Sequence, residues 1–192
     1  MRTGGEGGGT LVPTYDRLAN ELAQWRGVGY ADPSAVAEAE SVVRHEARLL
    51  DDHRMAEWLE LWAADGALWV PLDPDAHPAL DQSFYLDDVR RLHERVAWAE
   101  GPSAWSQHPR PLTVRLVSNV EALAHDDGAL SVRSSLVLAE HRGGRRQDWA
   151  GHQFHRFGPP RQGARGGARP ITLKILVVPS LRSACRHPGV LL

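Results

Sequence analysis

The chain has 192 residues, 42% hydrophobic and 24% charged, which suits a single domain burying roughly 70% of its unfolded surface without help from a disulfide or a metal. Its one cysteine, Cys185, excludes an intrachain disulfide framework, a cysteine-based zinc site and any iron–sulfur centre built on two Cys and two His. The net charge of −2 is unevenly spread, −10 over residues 1–100 and +8 over residues 101–192. This reads as an acidic helical half before an arginine-rich sheet half. It does not read as a nucleic-acid face, because the arginines are scattered along strands without stacking aromatics.

Met1–Thr10 holds five glycines and no apolar run. It is expected to be disordered and not to be a signal peptide. A short helix follows, with Thr14 as its cap, Leu18, Leu22 and Trp25 on one face and Gly27 at its end. Asp32 and Pro33 then stand at the cap and first position of a longer helix. Its apolar stripe is Val36, Ala39, Val43, Ala47 and Leu50. After a break at Asp51-Asp52-His53, the spacing of Met55, Trp58, Leu59 and Trp62 predicts helix up to Asp65-Gly66.

Short strands are expected over 67–72, where Pro71 limits pairing, and over 83–86. Asp87-Asp88 opens a helix with Val89, Leu92, Val96 and Ala99 inward, stopped by Gly101-Pro102. From Thr113 the period changes to two. Strands are predicted over 113–125, 129–141, 147–157 and 171–178, with turns at Asp127-Gly128 and Gly143-Gly144. Gly158–Pro170 is long for a hairpin loop and carries four glycines, three prolines and three arginines. It lacks the aromatics of an RNA-binding segment and reads as a solvated, mobile loop. The order predicts an α+β fold, a curved, mostly antiparallel sheet wrapped over N-terminal helices as a cone. The expected organisation is a tail and short helix over 1–30, the α+β domain over 31–181 and a C-terminal tail over 182–192. No segment reads as a membrane span, and a cytoplasmic location is expected.

Three stretches carry a resemblance. The first is Glu46-Ala-Arg-Leu-Leu-Asp-Asp-His53, continuing through Glu57-Trp58 and Leu61-Trp62 to Ala67-Leu-Trp-Val-Pro71. The second is the helix from Asp87 with Arg95-Val96, then Arg115-Leu-Val-Ser-Asn-Val120, the most specific run. The third is Trp149-Ala-Gly151 with Ile171-Thr-Leu-Lys-Ile-Leu176. Over roughly residues 36–181 the chain resembles the small (β) subunit of aromatic-ring-hydroxylating dioxygenases, which have the NTF2-like (SnoaL-like) cone fold. The Gly158–Pro170 connection and the tail from Ser180 depart from that pattern.

The resemblance implies a non-catalytic structural subunit in the degradation of aromatic compounds. It would pack as a homotrimeric base within a hetero-hexamer of three large (α) and three small subunits. It implies no cofactor in this chain. The Rieske [2Fe-2S] cluster and mononuclear Fe(II) would belong to the large subunit, supplied with electrons from NAD(P)H through a reductase and ferredoxin for the reaction with O2. Nucleic acid and membrane are not expected partners.

The residues leave other readings open. Cone-fold enzymes of the isomerase, dehydratase or cyclase type use an Asp/His pair facing the hollow. Here Asp52 and His53, joined by Tyr85, His93 or His152, are the candidates for that acid–base work. The plain alternative is that Asp51 or Asp52 ends a helix or pairs with Arg48 or Arg54, since helix neighbours do not share a face. A small-molecule binding module of the same fold is a third reading. A facial iron triad is not expected: His152 and His155 alternate across a strand, and His45, His53 and His93 belong to separate segments. Trp58, Trp62 and Trp69 read as core, whereas Trp98 and Trp105 flank a helix end and suit an interface. Arg115 and Asn119 share a strand face with Val117. Through the resemblance they are expected at a subunit interface, an intrachain salt bridge and hydrogen bond being the alternative.

Overall fold

The computed structural model describes residues 12–27, 33–101, 109–161 and 168–182, with side chains of the first helix described over 15–24. The elements run α1 (Val12–Gly27), α2 (Pro33–Asp51), α3 (Met55–Glu60), β1 (Trp62–Pro71), β2 (Ser83–Asp88), α4 (Val89–Glu100), β3 (Leu112–Ala124), β4 (Leu130–Arg142), β5 (Arg145–Phe157) and β6 (Ile171–Val177), then a 3-10 turn at Pro179–Arg182. One six-stranded sheet has the order β2-β1-β6-β5-β4-β3. All neighbouring strands are antiparallel except β1 and β6. The expected α+β class and curved, mostly antiparallel sheet are borne out.

The sheet has two unlike faces. Alternation along β4, β5 and β6 sends Val132, Leu136, Leu138, Trp149 and Leu176 inward. There they meet Ala39, Val43 and Leu50 of α2, Trp58 of α3, and Leu92 and Val96 of α4. Trp58 and Trp62 pack edge to face at 5.5 Å. On the opposite face, Trp69, Phe154, Leu173 and Ile175 are covered by Leu18 and Leu22 of α1. The central strands are therefore buried on both sides, which is why β6 reads Ile-Thr-Leu-Lys-Ile-Leu-Val without a polar face.

Local chemistry sets several boundaries. Asp88 caps α4 by accepting the N–H of Arg91 at 2.8 Å. The β4–β5 hairpin turns on Gly143 and Gly144, both at positive φ, the requirement of a two-residue turn matched to strand twist. At the end of α2, Arg54 N–H bonds Leu49 O and His53 N–H bonds Leu50 O. This is a Schellman closure with His53, at φ 55°, where glycine is usual.

The structure corrects the sequence reading in four places. Helix ends at Glu60 and β1 begins at Trp62, not Ala67. The apolar spacing is helical, but Ile171 N–H bonds Leu61 O and Arg161 holds the carbonyls of Glu60 and Trp62. Tertiary pairing with β6 takes the segment. The buried stripe of α2 is Ala35, Ala39, Val43, Glu46, Leu49 and Leu50, so Glu46 takes the place given to Ala47. Thr14 lies within α1 instead of capping it. The stem of the Gly158–Pro170 loop is anchored: Arg161 N–H bonds Ala168 O, and Arg169 binds Glu38 and the carbonyls of Gly128 and Gly158. The expected disorder of residues 1–10, the Asp32 cap, Trp105 and the tail from residue 183 lie outside the described residues.

Candidate functional site

Three features stand out: a buried charge cluster inside the cone, a carboxylate clamp at the sheet edge, and an open apolar area on the outer face.

The cluster is centred on Glu46 of α2. Its Oε1 accepts from Trp58 Nε1 at 3.1 Å and from Lys174 Nζ at 2.9 Å, and its Oε2 lies 2.8 Å from His155 Nε2. Burial opposes the carboxylate charge, but Lys174 and His155 outweigh it and hold Glu46 far below the ordinary carboxylate range. Burial pushes His155 below its ordinary value, as it does Lys174. The consistent state is an ionised Glu46–Lys174 pair with a neutral His155 donating from Nε2. His155 Nδ1 is buried without a hydrogen-bond partner among the described residues, and the ring stacks on Phe157 at 5.3 Å. The cluster joins α2, α3, β5 and β6 through one carboxylate.

Sequence reasoning missed this cluster, although it left a signal. Lys174 is the only lysine among 22 basic residues, and it sits in an otherwise apolar strand. Glu46 falls between Val43 and Leu50 on an apolar stripe. Both are misplaced unless they meet.

At the sheet edge, Asp51 ends α2 against β3. Its Oδ2 accepts the backbone N–H of Arg115 at 2.8 Å, and its Oδ1 accepts from Arg115 Nη1 at 2.5 Å and Thr113 Oγ1 at 3.0 Å. The Arg115 side chain is only 3% exposed. Asn119 is exposed at a bulge, with φ 50°, and donates to Ser135 Oγ at 3.2 Å. The intrachain bonds left open by the sequence are present for both residues.

The acid–base candidates are not joined: among the described residues no hydrogen bond links any two of Asp52, His53, Tyr85 and His93. Asp52 is exposed. His53 Nε2 sits 2.9 Å from Pro111 O. Tyr85 packs under Arg95, whose guanidinium carbon is 4.1 Å from the ring centre and whose two nitrogens hold Asp87 at 2.8 and 3.0 Å. His93 and His152 face solvent. Among the described residues no three His, Cys, Asp or Glu side chains converge as a metal site. With one cysteine, the donor set does not fit an iron–sulfur cluster.

The open area is the half of the outer sheet face that α1 leaves bare. Leu112, Val114 and Leu116 of β3 are 74%, 58% and 62% exposed, and Val137, opposite Leu116 on β4, is 40% exposed. Ala139 lies opposite Val114, and Ala150 opposite Val137. Register thus makes one continuous apolar area across three strands. Trp98, on α4, is 55% exposed.

Comparison with known proteins fits this geometry. Residues 45–180 match the family model described as the ring hydroxylating beta subunit. The small oxygenase component of the p-cumate 2,3-dioxygenase system of Pseudomonas putida is 34% identical over 124 residues, 63% of this chain and 69% of that protein. The small subunit of the 2-halobenzoate 1,2-dioxygenase of Burkholderia cepacia is 28% identical over 106 residues, 52% of this chain and 64% of that protein. Among solved structures, a naphthalene 1,2-dioxygenase with indole bound superimposes with a TM-score of 0.73 at 22% identity, covering 95% of this chain and 100% of the matched one. The fold is thus the NTF2-like cone expected from the sequence, and the chain belongs to the family of ring-hydroxylating beta subunits, the small oxygenase components of aromatic dioxygenase systems.

Proposed function

We propose that this chain is the structural, non-catalytic small subunit of an aromatic-ring-hydroxylating dioxygenase. Three copies form the base of a hetero-hexamer with three large subunits. The large subunit carries the Rieske cluster and mononuclear iron, takes electrons from NAD(P)H through a reductase and ferredoxin, and performs the reaction with O2 on an aromatic compound. The working unit is the domain over 31–181, in the cytoplasm.

The observation that carries this reading is the bare outer half of the sheet. Four well-exposed aliphatic side chains in one strand register are costly to leave in water and mark a protein-binding surface. Asn119 borders this area, and Trp98, exposed on α4 at the β1–β2 end of the molecule, supplies a separate aromatic anchor of the kind that dominates interfaces. Arg115 acts from beneath, since its pair with Asp51 holds β3 against α2. The test is co-expression with candidate large subunits and mass measurement of the purified complex. The wild-type chain should recover a three-plus-three assembly. Leu116→Asp should fold normally yet fail to retain the large subunit. Turnover of an arene by the chain alone would overturn the reading.

A further inference from the structure

His125 lies just beyond β3, at the start of the turn into β4. Its Nε2 is 2.8 Å from Ser131 Oγ and 3.0 Å from Arg156 Nη1, and Arg156 Nη1 is 3.3 Å from Ser131 Oγ. Ser131 and Arg156 are direct partners across the β4–β5 ladder. A guanidinium only donates hydrogen bonds. Nε2 must therefore be the bare nitrogen, with the ring proton on Nδ1. A proton on Nε2 would face an N–H of Arg156 in either protonation state and, in the doubly protonated ring, would set a second cation beside it.

Acids surround the ring from its other neighbours. Asp126 and Asp127 belong to the same turn, and Glu21 of α1 acts on His125 as well. Asp127 is already engaged, accepting Ala129 N–H at 2.9 Å and lying 3.6 Å from Arg156 Nη2. Glu21 Oε2, by contrast, is buried with no hydrogen-bond partner among the described residues. His125 thus holds an arginine it can bind only when neutral, while the charge of Glu21 favours its protonated form.

We propose that His125 is a proton-operated latch between the β3–β4 turn and helix α1. Neutral, it ties the turn to β5 through Arg156 and to β4 through Ser131. Protonated, it loses the Arg156 bond, keeps Ser131 by donating to its hydroxyl oxygen, and its charge draws in Glu21. Burial, together with Arg156, holds the His125 titration below the ordinary 6.5, so the latch changes state on the mildly acidic side. The element toward which the protonated state pulls the turn is α1, which covers the half of the outer face next to the bare apolar area.

The test is a histidine side-chain 1H–15N titration of the full 15N-labelled chain from pH 8 to 4.5, with His125→Asn assigning the signal. The expected result is an Nδ1–H tautomer at pH 8 and a midpoint below 6.5. Glu21→Gln, which keeps the side chain's shape and removes its charge, should lower that midpoint by about 0.5 pH unit. Amide protection in residues 15–24, corrected for intrinsic exchange, should rise as the wild type passes its midpoint and stay flat in Glu21→Gln. An Nε2–H tautomer at pH 8, a midpoint unmoved by Glu21→Gln, or equal protection profiles in the two proteins would each overturn the latch.

Discussion

Asp51 binds Arg115 twice, one carboxylate oxygen on the backbone N–H at 2.8 Å and the other on the guanidinium at 2.5 Å. An edge strand exposes unpaired N–H groups that invite pairing with foreign strands. Here the last residue of α2 occupies one of them and neutralises the buried cation beside it. Edge protection and charge burial are solved by one side chain.

Asp51→Ala should therefore cost about 2–4 kcal/mol, because it strands a buried guanidinium. Asp52→Ala, one residue further and exposed, should change stability by no more than about 0.5 kcal/mol. Urea denaturation of the two variants checks the contrast, and equal effects would refute the clamp.

Within the cone, Glu46→Gln should cost about 3–5 kcal/mol, since Lys174 is left charged and uncompensated. A double replacement, Glu46→Leu with Lys174→Met, should recover most of that loss. Thermal melts of the single and double variants would show whether the cluster acts as one unit.

The same cluster sets an acid dependence. His155 has a folded value below 6.5. As pH falls through 6.5, the unfolded chain takes up a proton that the folded chain refuses, and stability declines. Glu46, depressed in the fold, contributes stability that is present above its unfolded value and is lost as pH falls below it. Both slopes have the same sign, so stability should fall steadily from pH 6.5 downward. His155→Gln should flatten the portion between pH 6.5 and 5 in denaturation curves taken at successive pH values.

His53 holds a left-handed position that glycine favours, and it fastens the end of α2 to Pro111 O. His53→Ala loses the bond and keeps the backbone strain, which should cost about 1–2 kcal/mol. His53→Gly loses the bond but relieves the strain, and should cost less than half as much. A reversed order in chemical denaturation would contradict this account.

Gly151 lies where β5 approaches the end of β6. A Cβ there would fall 2.2 Å from the carbonyl oxygen of Val177, and backbone cannot yield cheaply. Gly151→Ala should cost more than about 2 kcal/mol, whereas Gly143→Ala, with nothing within 4 Å, should pay only for its positive φ. Differential calorimetry of the two variants separates close approach from turn strain.

Much of the architecture was written locally. Pro33, the Asp88 cap, the Gly143-Gly144 turn and the change of period after residue 112 act within a few residues of themselves. Helix starts, hairpins and the α+β order could therefore be read along the chain, and the run Arg115–Val120 pointed to the family. The boundary at Trp62 could not be read this way, because helical spacing and strand pairing compete there and β6, more than 100 residues away, decides. The same holds for the sites. Composition placed one lysine in an apolar strand and one glutamate on an apolar helix stripe. Only the fold could bring His155 and Lys174 each within 3 Å of Glu46, or give Asp51 rather than Asp52 to Arg115, because partners for buried charges are chosen by distance in space, which periodicity along the chain does not encode.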